Sequence, residues 1–292
     1  LKGLYRLYKD LKQRKPHRIA DIHKNLRTAV LRMFFKLSFT RTKAINKGYA
    51  ERKRLTHTSK KTMKPLTPQH YRYVEVFTRL GFLIDLDQHE FPIKPALLKS
   101  MMDIDLPANR KWIGIAPFAA HKAKMYPLSK MEEVIAKLDA ENKYDILLFG
   151  GGKHEEAQLN KLASNYKNVI SMVGKLTFKE ELQTVSNLDV MLSMDSGNGH
   201  LAAMFGIPVI TVWGATHPFA GFAPFQQPKE KIQPAPLEAT KMHRKIASTG
   251  IYIVQSVHAT IVGCNDCVSS NGKGLCLASS YHCIGCRFYY CR

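Results

Sequence analysis

The sequence predicts an α/β protein built on a parallel sheet, and three observations carry the prediction. Between residues 112 and 213, five short apolar runs recur, and segments of helical spacing separate them. Short polar or glycine-rich connections join strand to helix, which implies a parallel sheet covered on both faces. The 292 residues exceed one small domain and suit two of ordinary size. With 45% apolar and 23% charged residues, the composition is that of a folded chain rather than a disordered one. No apolar run reaches the roughly 18–20 residues that a membrane-spanning helix needs.

Residues 1–14 repeat Leu4, Tyr5, Leu7, Tyr8 and Leu11 at helical spacing, with Lys and Arg on the other face. Arg18 to Ile22 reads as a short strand. Asn25 to Leu37 reads as a helix with Leu26, Val30, Leu31, Phe34 and Phe35 inward. Residues 41–69 are basic and weakly periodic and read as a loop. Tyr71 to Leu80 reads as a helix closed by Gly81. Residues 91–110, with Pro92, Pro95 and Pro107, read as an interdomain linker.

Beyond Arg110 the alternation is regular. Strands are expected at 112–117, 144–149, 169–173, 190–194 and 208–213. Helices are expected at 131–138, with Ser129 as N-cap, and at 155–166, 179–186 (opened by Thr177) and 200–205. Sheets of this kind bind ligands beyond the carboxyl ends of their strands.

Charge is uneven. The net charge is +21, yet residues 1–70 alone hold 20 basic and 3 acidic residues, and residues 71–230 are nearly balanced. Such a block favours anionic partners. All six Cys lie between 264 and 291, so no disulfide framework runs through the main body.

Three strand ends carry candidate chemistry. Asp195-Ser196-Gly197-Asn198-Gly199-His200 follows one strand and opens a helix, whose free N–H groups and dipole suit a diphosphate. Lys122 and Lys124 sit on the loop after the strand at 112–117, where they can meet phosphate as point charges. Gly150-Gly151-Gly152 is followed by Glu155, a carboxylate placed to accept from ribose hydroxyls. Together these ends outline a nucleotide-diphosphate pocket.

The order Lys124-Met125-Tyr126-Pro127, glycine turn with Glu155, Val173-Gly174-Lys175-Leu176, Asp195-Ser196-Gly197 to His200-Leu201-Ala202-Ala203, Gly206-Ile207-Pro208 and Gly214-Ala215-Thr216-His217-Pro218 resembles glycosyltransferase family nine, the ADP-heptose:lipopolysaccharide heptosyltransferases. The resemblance is close over 111–225 and looser over 1–110, including Asp21-Ile22-His23. It implies a GT-B fold of two Rossmann-like domains with parallel sheets, the N-terminal one incomplete here. On this reading 1–105 is a partial acceptor-binding domain, 106–228 the nucleotide-sugar-binding domain and 229–292 an atypical Cys-rich tail.

The resemblance implies inverting transfer of heptose from ADP-heptose to the lipopolysaccharide inner core, without a bound metal or other cofactor. Lys124 would contact diphosphate or sugar, Glu155 the ribose, and Leu176 the adenine pocket. Asp195 would hold heptose hydroxyls, Ser196, Gly197 and His200 the phosphates, and Thr216 the edge of the site. The family's usual Trp before the proline is Tyr126 here. The protein is expected to be cytoplasmic, with the basic block meeting phosphorylated acceptor and an anionic inner-membrane surface; no nucleic acid is expected.

Two departures stand out. Family members start with a strand and a Gly-Asp turn whose Asp is the general base. No residue here matches it, Asp21 included, so the base is expected in a segment before residue 1 and this chain is expected to bind donor without turnover. From about Lys229 the resemblance fades. Cys264, Cys267, Cys283 and Cys286 form two CxxC pairs with the spacing of a four-thiolate zinc site, which would suit a basic nucleic-acid-binding protein. A change of reading frame near residue 229 is the other expectation for the Ser- and Cys-rich tail.

Overall fold

The computed structural model describes residues 1–55, 64–96 and 110–227, and the backbone of 253–255. The chain divides into two compact units. One is Leu1–Glu90 with Phe219–Phe222; the other is Phe91–Pro218 with Ala223 onward. The sequence reading places the boundary near 105 instead.

The first unit contains α1 (Lys2–Gln13), β1 (Arg18–Asp21), α2 (Leu26–Leu37), β2 (Arg41–Ala44), α3 (Tyr49–Leu55) and α4 (Gln69–Thr78). The ring of Tyr8 on α1 packs against Phe34 and Phe35 of α2, with centroids 5.4 and 5.0 Å apart. Asn25 starts α2 because its side chain accepts from Thr28 N–H while the Thr28 hydroxyl accepts from Asn25 N–H. β1 and β2 pair in parallel from Arg18↔Arg41 to Asp21↔Ala44. Ile45, Val76 and Leu80 form a small core beneath them.

The loop expected over 41–69 is corrected: it contains β2 and α3. β2 reads Arg-Thr-Lys-Ala and carries no apolar alternation, so backbone pairing alone makes it a strand. α3 is held partly by a charge. Glu51 pairs at 2.5 Å with Arg72, a buried arginine that also donates to the Asn46 and Thr67 carbonyls.

The second unit contains β3 (Lys111–Ala116), α5 (Leu128–Ala140), β4 (Tyr144–Leu148), α6 (Gly152–Ala163), β5 (Val169–Ser171), α7 (Phe178–Ser186), β6 (Val190–Met194), α8 (Gly197–Met204), β7 (Val209–Trp213) and β8 (Ile253–Gln255). The sheet order is β5-β4-β3-β6-β7-β8; the first five strands are parallel, and β8 runs antiparallel to β7. The order reverses between β3 and β6, the topological switch point where such sheets open a crevice.

Strand alternation divides the core in two. Ile146 and Leu148 face Met131 and Ile135 of α5 and Leu159 of α6. Leu147 and Phe149 face Val185 of α7 and Ala202 and Ala203 of α8. Burial on both faces is why these strands read as unbroken apolar runs.

Helix starts differ in detail from the sequence reading. Thr177 does cap α7, in a box with Glu180. Ser129 does not cap α5, which begins at Leu128 after Pro127. α6 and α8 begin three residues early, because Gly152 and Gly197 already lie within the first turn. Residues 91–96, read as linker, rest on the second unit: Phe91 lies close to Gly206, and the Pro95 carbonyl accepts from Asn187.

Candidate functional site

The site is built from loops at the carboxyl edge of the second unit's sheet. β3 ends at Ala116, and the chain passes through a 3-10 turn at Lys122–Lys124. Lys124 N–H donates to the His121 carbonyl and Met125 N–H to the Lys122 carbonyl, which fixes the turn. From it the Lys124 ammonium reaches the loop after β6 and pairs with Asp195 Oδ2 at 2.7 Å. The bond spans the switch point. Asp195 is mostly buried, whereas about a quarter of the Lys124 side chain, 27%, meets solvent. An ammonium has three donors, so one bond to Asp195 leaves it able to meet an anion.

Asp195 leads into α8. Ser196 occupies the N-cap position in extended backbone, yet its hydroxyl caps nothing: Oγ is buried without a hydrogen-bond partner. The first N–H groups of α8 lack intrahelical acceptors, as at any helix start, and the helix dipole adds partial positive charge there. Gly199 lets the helix lie against β6, since a Cβ there would meet the Ser193 hydroxyl at 2.5 Å. His200, one turn in, is exposed. Desolvation lowers its pKa below the ordinary histidine value; Asp195 opposes the shift and Lys124 adds to it.

The remaining candidates line the same edge. At the end of β4, Glu155 Oε2 accepts from Gly151 N–H at 2.7 Å. The carboxylate thus closes its own loop through one oxygen. After β5, Leu176 is half-buried against the α7–α8 face of the core. After β7, the Thr216 hydroxyl is buried without a hydrogen-bond partner. Strands lie about 4.8 Å apart, so the row from β5 to β7 spans roughly 20 Å.

The structure thus brings Lys124 and Asp195 into direct contact, with Ser196, Gly197 and His200 following in the same segment. Glu155, Leu176 and Thr216 stand at neighbouring strand ends. The sequence reading missed two contacts that hold these loops. Ala215 N–H donates to the Ala123 carbonyl at 2.8 Å, and Tyr126 N–H points to Met194 Sδ at 3.1 Å.

Asp21 lies in the first unit and is fully engaged there. Its carboxylate accepts from the N–H groups of His23 and Lys24 at 3.0 and 2.6 Å and pairs with Arg32 at 2.8 Å. Burial opposes its charge, but these donors outweigh burial and hold its pKa below the ordinary value. Cys264, Cys267, Cys283 and Cys286 lie outside the described residues. Among the described residues, no cluster of His, Cys, Asp and Glu has the makings of a metal site, and no helix is long and apolar enough to cross a membrane.

Comparison with known proteins identifies the family and the fold. The family model of glycosyltransferase family 9 (heptosyltransferase) matches residues 4–249, which passes the 228 boundary read from the sequence. Lipooligosaccharide heptosyltransferase 2 of Campylobacter jejuni is 29% identical over 143 residues, 47% of this chain and 44% of the relative. Lipopolysaccharide heptosyltransferase 3 of Escherichia coli is 28% identical over 147 residues, 49% of this chain and 43% of the relative. These matches therefore span less than half the length of the curated relatives. Among solved structures, a family 9 glycosyltransferase from Veillonella parvula superposes with a TM-score of 0.57 at 16% identity, covering 85% of this chain and 78% of that one. An E. coli heptosyltransferase solved with ADP gives 0.54 at 19% identity, covering 80% and 73%. At these identities the likeness establishes the fold, which is α/β of the GT-B type.

Proposed function

This chain belongs to glycosyltransferase family 9, and on that premise we propose that its second unit binds an ADP-sugar and donates the sugar, a heptose, to a lipopolysaccharide core acceptor. One observation carries the reading: the Lys124–Asp195 pair spans the switch point beside the amino end of α8, where the Ser196 hydroxyl stands buried and unpartnered.

The chemistry follows from these groups. The diphosphate meets the Lys124 ammonium, the Ser196 hydroxyl and the first N–H groups of α8, starting at Gly197. In an inverting displacement the acceptor oxygen forms its bond to the anomeric carbon as the bond from that carbon to the phosphate oxygen breaks. Negative charge then grows on the departing ADP. Fixed donors aimed at that charge favour the transition state over the ground state, so Lys124 and α8 stabilise the leaving group and no metal is required for the purpose. His200 donates one hydrogen bond to phosphate. Asp195, already oriented by Lys124, accepts from sugar hydroxyls with the oxygen that the pair leaves available. Glu155 accepts from the ribose, Leu176 packs on adenine and Thr216 closes the sugar side. The attacking hydroxyl gives up its proton as its oxygen bonds to the anomeric carbon, and by the family resemblance the group that takes it is the aspartate of a Gly-Asp turn, which no residue of 1–292 matches.

The first unit supplies charge. Residues 1–70 contain 20 basic and 3 acidic residues, a field suited to the phosphates of a lipopolysaccharide core and to the anionic face of the inner membrane from the cytoplasm. The test is ADP release from ADP-heptose with and without a heptose-accepting lipopolysaccharide core, with the product weighed by mass spectrometry. The family reaction predicts ADP release that depends on the acceptor and a core heavier by one heptose, and either result from this chain would overturn the expectation that it binds donor without turnover. Donor that binds and is never transferred would reduce the function to donor binding.

A further inference from the structure

We propose that Gly214 is a positioning residue for Lys124: the missing side chain of Gly214 lets the end of β7 press directly on the backbone of the lysine-bearing turn. The inference rests on the donor-site reading for its consequence, though not for its geometry.

Gly214 is buried, immediately after β7. A Cβ at this position would lie 2.5 Å from the Ala123 carbonyl oxygen, 3.1 Å from Lys124 Cα and 3.2 Å from the Lys124 carbonyl carbon. All three contacts are with backbone, so rotating a side chain relieves none of them. The backbone at Gly214 does not adopt a positive φ, so the requirement is for space and not for an unusual conformation. The next residue completes the contact, since Ala215 N–H donates to the same Ala123 carbonyl at 2.8 Å. That carbonyl belongs to the peptide unit joining Ala123 to Lys124, so its position sets where Lys124 begins. The lysine then spans to Asp195 at 2.7 Å. β7 thus holds the turn after β3 against an aspartate carried by β6, the strand between them.

A methyl group at Gly214 has to move the turn away until its carbonyl is at ordinary van der Waals distance, a displacement of roughly 1 Å. The Ala215 hydrogen bond is lost with that movement. Misplacement of a catalytic group by about 1 Å is enough to cost on the order of a hundredfold in rate. Gly214 touches neither ADP nor sugar in this account and acts only through Lys124.

Two readouts separate this proposal from a merely structural role. The first uses no ligand: the full-length chain is treated with an amine-acylating reagent, and modification of Lys124 is followed by peptide mass spectrometry. Gly214→Ala is expected to raise the Lys124 modification rate severalfold, with other lysines unchanged. The second is ADP affinity by titration calorimetry in a double-variant cycle. Gly214→Ala alone and Lys124→Ala alone are each expected to weaken ADP about tenfold, as loss of a charge-assisted hydrogen bond does. The double variant is expected to be no weaker than Lys124→Ala. Should Gly214→Ala fail to fold, Ala215→Pro removes the donor to Ala123 and is measured in its place. Unchanged Lys124 labelling, or a Gly214→Ala loss that persists undiminished in the Lys124→Ala background, would overturn the proposal. Wild-type chain that ignores ADP would instead sink the donor-site reading, and the labelling arm would still decide the positioning claim.

Discussion

Replacing Arg110 by Ala tests how the sheet that carries the site is held at its opposite edge. Arg110 Nε pairs with Asp145 Oδ1 at 3.1 Å, Nη1 donates to Asn168 Oδ1 at 2.7 Å and Nη2 to the Tyr144 carbonyl at 2.6 Å. Asp145 lies on β4 with only 4% of its side chain exposed, and Oδ2 has no hydrogen-bond partner. Burial pushes its pKa above the ordinary carboxylate value, against the opposing pull of Arg110. Arg110→Ala leaves a buried carboxylate with no cation, a change that costs about 3–5 kcal/mol. For a unit of this size that lowers Tm by roughly 6–20 °C. The pH dependence has a definite sign. A carboxyl whose folded pKa is raised opposes folding least below the unfolded value of about 3.9, and its penalty grows as pH rises through the folded pKa. The variant should therefore lose more stability at pH 8 than at pH 5. The assay is urea unfolding of wild type, Arg110→Ala, Asp145→Asn and the double variant at both pH values. In the Asp145→Asn background the arginine should matter by only about 1–2 kcal/mol, for its remaining hydrogen bonds. An equal loss in both backgrounds, or a loss below about 1 kcal/mol in the wild type, would refute the reasoning.

Three further outcomes are expected. Asp21→Asn should destabilise the first unit by about 1–3 kcal/mol at pH 7. Because the folded pKa of Asp21 is lowered, that contribution is present above the unfolded pKa and should vanish as pH falls through the folded one, so acid titration of stability should show the two proteins converging. His200 has a lowered pKa, so ADP affinity should rise as pH drops below that of an ordinary histidine and the imidazolium forms beside phosphate; calorimetry on His200→Ala should show that rise abolished. Thr177→Ala removes the hydroxyl half of the α7 capping box, while the backbone N–H at 177 still donates to Glu180, and should cost about 1 kcal/mol, read from urea midpoints.

Legibility of the fold in the sequence tracked burial. Ile146, Leu147 and Leu148 are all fully buried because helices cover both faces of the sheet, so β4 is visible as an apolar run, and its neighbours likewise. β2 was not visible, because Arg41-Thr42-Lys43-Ala44 is a strand by backbone pairing and not by side-chain pattern. The same holds for α3, which rests on Glu51 and a buried Arg72 that composition alone places on the surface. At the site, glycine turns and charged residues at strand ends picked out the segments. Their mutual contacts were less accessible. Lys124 and Asp195 are 71 residues apart, and only the strand order makes them neighbours. Glu155 reads from the sequence as a carboxylate for ribose hydroxyls, and its bond through one oxygen to the backbone of its own loop is visible only in the structure. Gly214 was legible as part of Gly-Ala-Thr-His-Pro, but its contact with Ala123 depends on how two loops approach, which no spacing encodes.

Under the proposed function, the carboxyl edge of this sheet is an ADP-sugar site organised by Asp195 and Lys124. Thermal unfolding of wild type and Asp195→Ala with ADP, ADP-heptose and GDP tests it most directly. A ligand at a hundred times its Kd should add about 2.7 kcal/mol of stability. The account expects ADP and ADP-heptose to stabilise the wild type, GDP to fail, and Asp195→Ala to keep ADP while losing the advantage of the sugar-bearing ligand. A folded wild type whose unfolding is unmoved by every nucleotide, or an Asp195→Ala variant that still favours ADP-heptose, would contradict it.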